Sequence, residues 1–188
     1  MARFYDRLTP ELIGFIGQQK LFFTASGMAT GRINISPKGT DSLRVLSPTE
    51  VAYADLTGSG AETVAHAHHD GRITLMFMSL TDKPLILRLY GHATTFTPDS
   101  IEGQQLRTRL PVQPAIRQLI RIAIGSVQTS CGYAVPLFDY CGERDTYERW
   151  VEKKGHDGIE SYWRERNARS VDGLQIGLFG EEPQQGDV

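Results

Sequence analysis

Val51–Phe77 reads VAYADLTGSGAETVAHAHHDGRITLMF, a stretch that changes its apolar spacing twice around a glycine break. Apolar residues alternate as far as Leu56, the pattern breaks at Thr57-Gly58-Ser59-Gly60, Glu62–Asp70 takes helical spacing, and alternation resumes at Ile73. Period-two alternation marks strands and the period near four marks a helix, so the predicted order is strand, glycine turn, short helix, strand. That layout aims backbone N–H groups at the space above the turn. Glycines allow close approach there, and a helix N-terminus favours an anion. The hydroxyls of Thr57, Ser59 and Thr63 surround the same point, as a phosphate site requires. The plainer alternative is a tight connection in which Thr or Ser caps the helix.

Upstream, Leu8-Thr9-Pro10-Glu11 starts a helix, with Thr9 as N-cap and Pro10 in the first turn. Leu12, Phe15 and Ile16 give it one apolar stripe, and Leu21–Ala25 follows as a buried strand. Gly31–Gly39 (GRINISPKG) alternates, with Ile33 and Ile35 on one face and Arg32, Asn34 and Ser36 on the other. A half-solvated strand explains this, as does a polar ligand site into which Lys38 reaches after the Pro37 break.

Downstream, Arg72–Leu80 and Leu85–Phe96 are strands joined by a hairpin at Asp82-Lys83-Pro84, with Gly91 the expected bulge of the longer one. Arg88 lies inside that apolar run and needs either an ion-pair partner or an anionic ligand. Pro98–Glu102 begins a helix capped by Asp or Ser, and Leu119–Val127 reads as a strand ending in Gln128-Thr129-Ser130-Cys131-Gly132. Glu143–Lys154 and Asp157–Ala168 read as two charged helices parted at Gly155, and the tail from Gly180 has a disordered composition. Residues 1–179 then form one domain. Strands in succession with few intervening helices predict a mainly β (α+β) antiparallel split barrel with peripheral helices and a helical C-terminal extension.

At 188 residues, 40% hydrophobic and 22% charged, the chain suits one soluble domain with a real core. A formal charge of −2 gives no overall footprint for nucleic acid or an anionic membrane. No apolar run reaches membrane-spanning length, and Met1–Arg7 lacks a signal-peptide pattern. Cys131 and Cys141 match neither a metal-ligand pair nor a disulfide framework, so a reduced, cytoplasmic protein is expected. Cys131 is expected as a small buried residue at a strand end. In AHAHHD, His66 and His69 share a helix face, but no second element supplies further ligands, so no metal is expected and the face is read as solvated. No Ser-His-Asp or Gly-x-Ser-x-Gly pattern supports hydrolysis.

Taken together, GRINISPKG, AYADLTGSGAETVAHAHHDGRITLMF and LILRLYGHAT resemble the pyridoxamine 5′-phosphate oxidase-like family of flavin-binding split β-barrels. Residues 127–155, VQTSCGYAVPLFDYCGERDTYERWVEKKG, look like a bacterial branch distinct from the pyridoxamine phosphate oxidases proper. The resemblance implies flavin mononucleotide (FMN) held at a homodimer interface by residues of both chains. Arg32, Asn34, Ser36 and Lys38 would face the isoalloxazine edge or ribityl chain; Thr57, Gly58, Ser59 and Thr63 would sit near the phosphate. Arg88 would approach from the long strand, and Ser130 would complete the set. An oxidoreductase acting on a small molecule or electron donor follows, with a non-catalytic or sensing module for FMN, haem or deazaflavin as the alternative. Where the oxidases proper carry Arg-Lys at the start of the helix, this chain has Glu62-Thr63. No catalytic residue, substrate or donor is legible.

Overall fold

The computed structural model describes residues 2–178. Its strands are β1 (Arg3–Tyr5), β2 (Leu21–Ser26), β3 (Asn34–Gly39), β4 (Leu43–Ser47), β5 (Glu50–Leu56), β6 (Arg72–Met78), β7 (Ile86–Phe96) and β8 (Ile116–Ser130). Its helices are α1 (Pro10–Gln18), α2 (Glu62–His69), α3 (Ile101–Arg107) and α4 (Thr146–Arg166). One sheet runs β3-β2-β6-β7-β8-β5-β4, with β1 paired to β8, and each of these pairings is antiparallel.

Alternation along each strand sends one set of side chains into the core. Phe22, Leu75, Phe77, Leu87, Leu89 and Ile122 are fully buried there, and Phe22 meets Phe77 at 5.6 Å and Tyr53 edge-on at 5.6 Å. The opposite face carries Phe23, Met76, Arg88 and Gln128 in one row, joined by the cross-strand pairs of β2, β6, β7 and β8. The row continues to Pro37 at one end and Phe4 at the other.

The sheet curls so that β3 and β5, distant in strand order, face each other. Side chains rather than backbone bonds bridge that gap: Lys38 Nζ lies 3.1 Å from Asp55 Oδ1, and Asn34 Nδ2 donates to Thr63 Oγ1 at 3.0 Å. The barrel is split there. The curl depends on a register shift between Tyr90 and Gly91 in β7. A Cβ on Gly91 would overlap the Ala123 carbonyl and stand 2.9 Å from Ile122 Cγ2, so glycine alone allows this crossing.

The expected elements form, with several differences. Thr9 caps α1, its side chain accepting from Leu12 N–H at 3.4 Å, and Ser100 caps α3, accepting from Gly103 N–H at 3.0 Å. The helical extension breaks at Gly155, where φ is +66°. Ala61, however, stands at the N-cap of α2 with no side-chain bond, so neither Thr nor Ser caps that helix. The three-residue strand β1 lies in a segment whose charged flanks hide any alternation. Cys131 is exposed, because β8 ends at Ser130 and Gly132 turns the chain away with φ +64°. The tail from Gly180 lies outside the described residues.

Candidate functional site

Because β3 is an edge strand, its alternation leaves Ile35 exposed on one side and directs Asn34, Ser36 and Lys38 into the split. Ser36 Oγ donates to Asn34 Oδ1 at 3.2 Å, which orients the amide so that its nitrogen reaches Thr63. Thr63 is buried in the first turn of α2. A polar ladder therefore runs along β3 from the N-terminus of α2 to Lys38, a span of about 13 Å at the strand rise.

Its far end is charged. Asp55, on β5, receives Lys38 on one oxygen and Arg117 of β8 on the other, Arg117 Nη2 lying 2.7 Å from Oδ2. Both Asp55 and Arg117 side chains are 3% exposed, whereas Lys38 retains 19%. Burial pushes the Asp55 carboxyl up, but Lys38 and Arg117 outweigh burial and hold it below the ordinary 3.8. Two cations against one carboxylate leave a net charge of +1 on the cluster. A cavity of about 390 Å³ opens beside it, lined by Lys38 and Arg144 but also by Asp41, Glu143 and Glu148.

The glycine turn is held from both sides. Arg117 donates to the carbonyls of Gly58 (3.4 Å) and Gly60 (2.9 Å). Thr57 Oγ1 donates to Ala115 O at 2.8 Å and accepts from Trp163 Nε1 at 2.8 Å. Asn167, fully buried, donates to Gly58 O at 3.0 Å, and Tyr147 Oη accepts from Thr57 N–H at 3.0 Å. Burial is the main reason the Tyr147 hydroxyl is raised above its ordinary 10.0. Ser59 stays exposed at the tip.

The predicted residues therefore fall into four places. Asn34, Ser36, Lys38 and Thr63 share the split; Thr57, Gly58 and Ser59 form the adjoining turn. Arg88 and Ser130 lie on the other face of the sheet, where Arg88 Nη1 donates to Ser130 Oγ at 3.2 Å. Among the described residues no carboxylate forms an ion pair with Arg88. Arg32 precedes β3 and pairs with Asp172. Sequence reasoning missed Asp55 and Arg117. The available signal was the run IRQLIRIAI, in which a cation among apolar residues demands a partner, as at Arg88.

The histidines do not form a solvated face. His66 is 1% exposed and shares a hydrogen bond with Ser26 Oγ at 2.9 Å; His68 reaches Thr95 Oγ1 at 2.6 Å. The helix packs this side on the sheet, so His66 turns inward, and burial lowers the pKa of both rings below 6.5.

An antiparallel sheet curled into a half-barrel and bridged by side chains across its gap defines a split β-barrel. The chain belongs to the pyridoxamine 5′-phosphate oxidase family: it is 36% identical over 192 residues to the Aspergillus flavus pyridoxamine 5′-phosphate oxidase family protein ustO, covering 93% of this chain and 77% of that one. That relative is a fungal protein, whereas the resemblance in the sequence pointed to a bacterial branch. No family model matches the chain. Among solved structures, a variant of HupZ from Group A Streptococcus aligns with TM-score 0.52 at 22% identity, over 65% of this chain and 98% of that one. A candidate pyridoxamine 5′-phosphate oxidase from Lactobacillus delbrueckii aligns with TM-score 0.53 at 17% identity, over 65% and 94%. These two share the fold. No helix among the described residues is long and apolar enough to cross a membrane.

Proposed function

We propose that this chain is an FMN-binding oxidoreductase that works as a homodimer, with the flavin lying along the β3 ladder. The observation that carries the reading is the ladder itself: Asn34, Ser36 and Lys38 on one side of an edge strand, meeting Thr63 at a helix N-terminus. The residues fit the group. Amide, hydroxyl and ammonium suit the heteroatoms of a flavin ring and ribityl chain, and the net positive charge of the Lys38–Asp55–Arg117 cluster suits the electron-rich pyrimidine edge of the ring. Glu62, which replaces a cation of the oxidases proper, accepts from Val171 N–H at 2.9 Å.

The dimer is supported by the two-faced placement of the predicted residues. Arg88 and Ser130 cannot join the ladder of their own chain, because the sheet lies between them. A second copy could bring its outer face to the first copy's split. That face carries exposed Phe4, Ile33 and Ile35 and a half-buried Arg88, an apolar surface with a charge seeking a partner.

When bound, the flavin would supply the electron chemistry. Lys38 and Asn34 would orient its ring by donating hydrogen bonds, Thr63 would hold the chain end, and the Trp163–Thr57 contact would keep the turn in place. Asn34→Ala and Arg88→Met should each weaken FMN binding about tenfold, while the melting temperature moves little. Equal losses of affinity and stability would count against the site. Retained flavin that no donor reduces would favour a sensing module instead.

A further inference from the structure

The loop after α4 folds back over the start of β3. Asp172 Oδ2 accepts from the backbone N–H of Arg32 at 2.7 Å, and its other oxygen pairs with the Arg32 guanidinium. Gly31, with φ +90°, makes room for this carboxylate: a Cβ there would stand 2.7 Å from Asp172 Oδ2. A backbone N–H, a guanidinium and a glycine without Cβ form a receptor for an anionic oxygen. Its present occupant is part of the chain and sits near the surface, the two side chains being 71% and 21% exposed.

The same segment is tied to the proposed flavin cradle at three further points. Val171 N–H donates to Glu62, Asn167 to Gly58 O, and Trp163 to Thr57. Asn167 is fully buried and Trp163 half-buried; the turn that presents Asp172 is closed by Ser170 N–H donating to Leu174 O at 2.8 Å, with Val171 at its tip 68% exposed.

We propose that Gly31–Arg32 is a binding site for a phosphate monoester and that Asp172 is its internal placeholder, displaced when the phosphate enters. Naming that phosphate as the flavin's rests on the function proposed above; the exchange of carboxylate for phosphate does not. A phosphate monoester carries close to two negative charges and three acceptor oxygens against the single charge of Asp172, so it competes well for the same donors. The tethered carboxylate lowers the apparent affinity for every anion by the fraction of time it holds Arg32. Weak anions are thereby excluded, and a ligand with additional contacts along β3 is admitted.

The test is calorimetric titration of inorganic phosphate into the wild-type protein, Asp172→Ala, Asp172→Asn and the double variant Arg32→Gln/Asp172→Ala. Circular dichroism establishes folding; Asp172→Asn keeps the size of the side chain and serves if the alanine variant does not fold. Both single variants should bind phosphate at least about fivefold more tightly than wild type, and the double variant should lose that gain. Phosphate affinity that is unchanged or weaker in the folded single variants overturns the placeholder, as does a gain that survives loss of Arg32. A parallel FMN titration separates the two claims. Tighter phosphate binding with no FMN uptake in any variant removes the flavin reading and leaves the anion site. FMN uptake without a phosphate response does the reverse.

Discussion

Arg117 and Asp55 meet 62 positions apart in sequence, guanidinium to carboxylate at 2.7 Å, each side chain 3% exposed. Burying such a pair is costly unless the remaining donors and acceptors are satisfied, and here they are. Arg117 spends its other contacts on the Gly58 and Gly60 carbonyls, and Asp55 takes Lys38 on its free oxygen. One ion pair therefore joins β5, β8, the glycine turn and the edge strand β3.

Asp55→Asn should destabilise the protein by about 3–5 kcal/mol, because it strands a buried guanidinium. Lys38, closer to solvent, should then also lose its fixed position. Denaturant unfolding measures the first effect. A loss below about 1 kcal/mol would mean that the turn is held by Trp163 and Asn167 alone.

Histidine burial gives a pH dependence of defined sign. Burial lowers the pKa of His66 and His68, so between their folded values and 6.5 the unfolded chain binds protons that the folded chain does not. Stability is full above pH 6.5 and falls as the pH drops below it. Thermal melts between pH 7.5 and 5.5 should show that decline, reduced in His66→Gln. An identical decline in His66→Gln and His68→Gln variants would place the cause elsewhere.

Gly91→Ala should cost about 2–3 kcal/mol or prevent folding, since the added methyl meets the Ala123 carbonyl across β7 and β8. Gly125→Ala is the control, because its nearest neighbour, Tyr90 O, is 3.8 Å away. Equal melting temperatures for the two variants would contradict the tight crossing.

What the sequence revealed and what it hid follow from the range of the interactions. Alternation in GRINISPKG, the glycine turn and the Gly91 bulge are local patterns; the turn and the bulge stand where they were expected, and β3 begins at Asn34, leaving Arg32 before the strand. Arg117 lies at the start of a strand expected to begin at Leu119, and its partner comes from another strand through the curl of the sheet. Asp172 and Asn167 act on backbone atoms far away in sequence, which leaves no trace in composition or spacing. His66 looked solvated because its neighbours His68, His69 and Asp70 are polar, yet helix phase alone turns it onto Ser26.

If this split barrel holds a flavin, the visible absorption spectrum of the freshly purified protein reveals it. Flavin bands are expected and, after denaturation, release of a chromophore with the mass of FMN. A colourless protein that also fails to take up added FMN would contradict flavin binding.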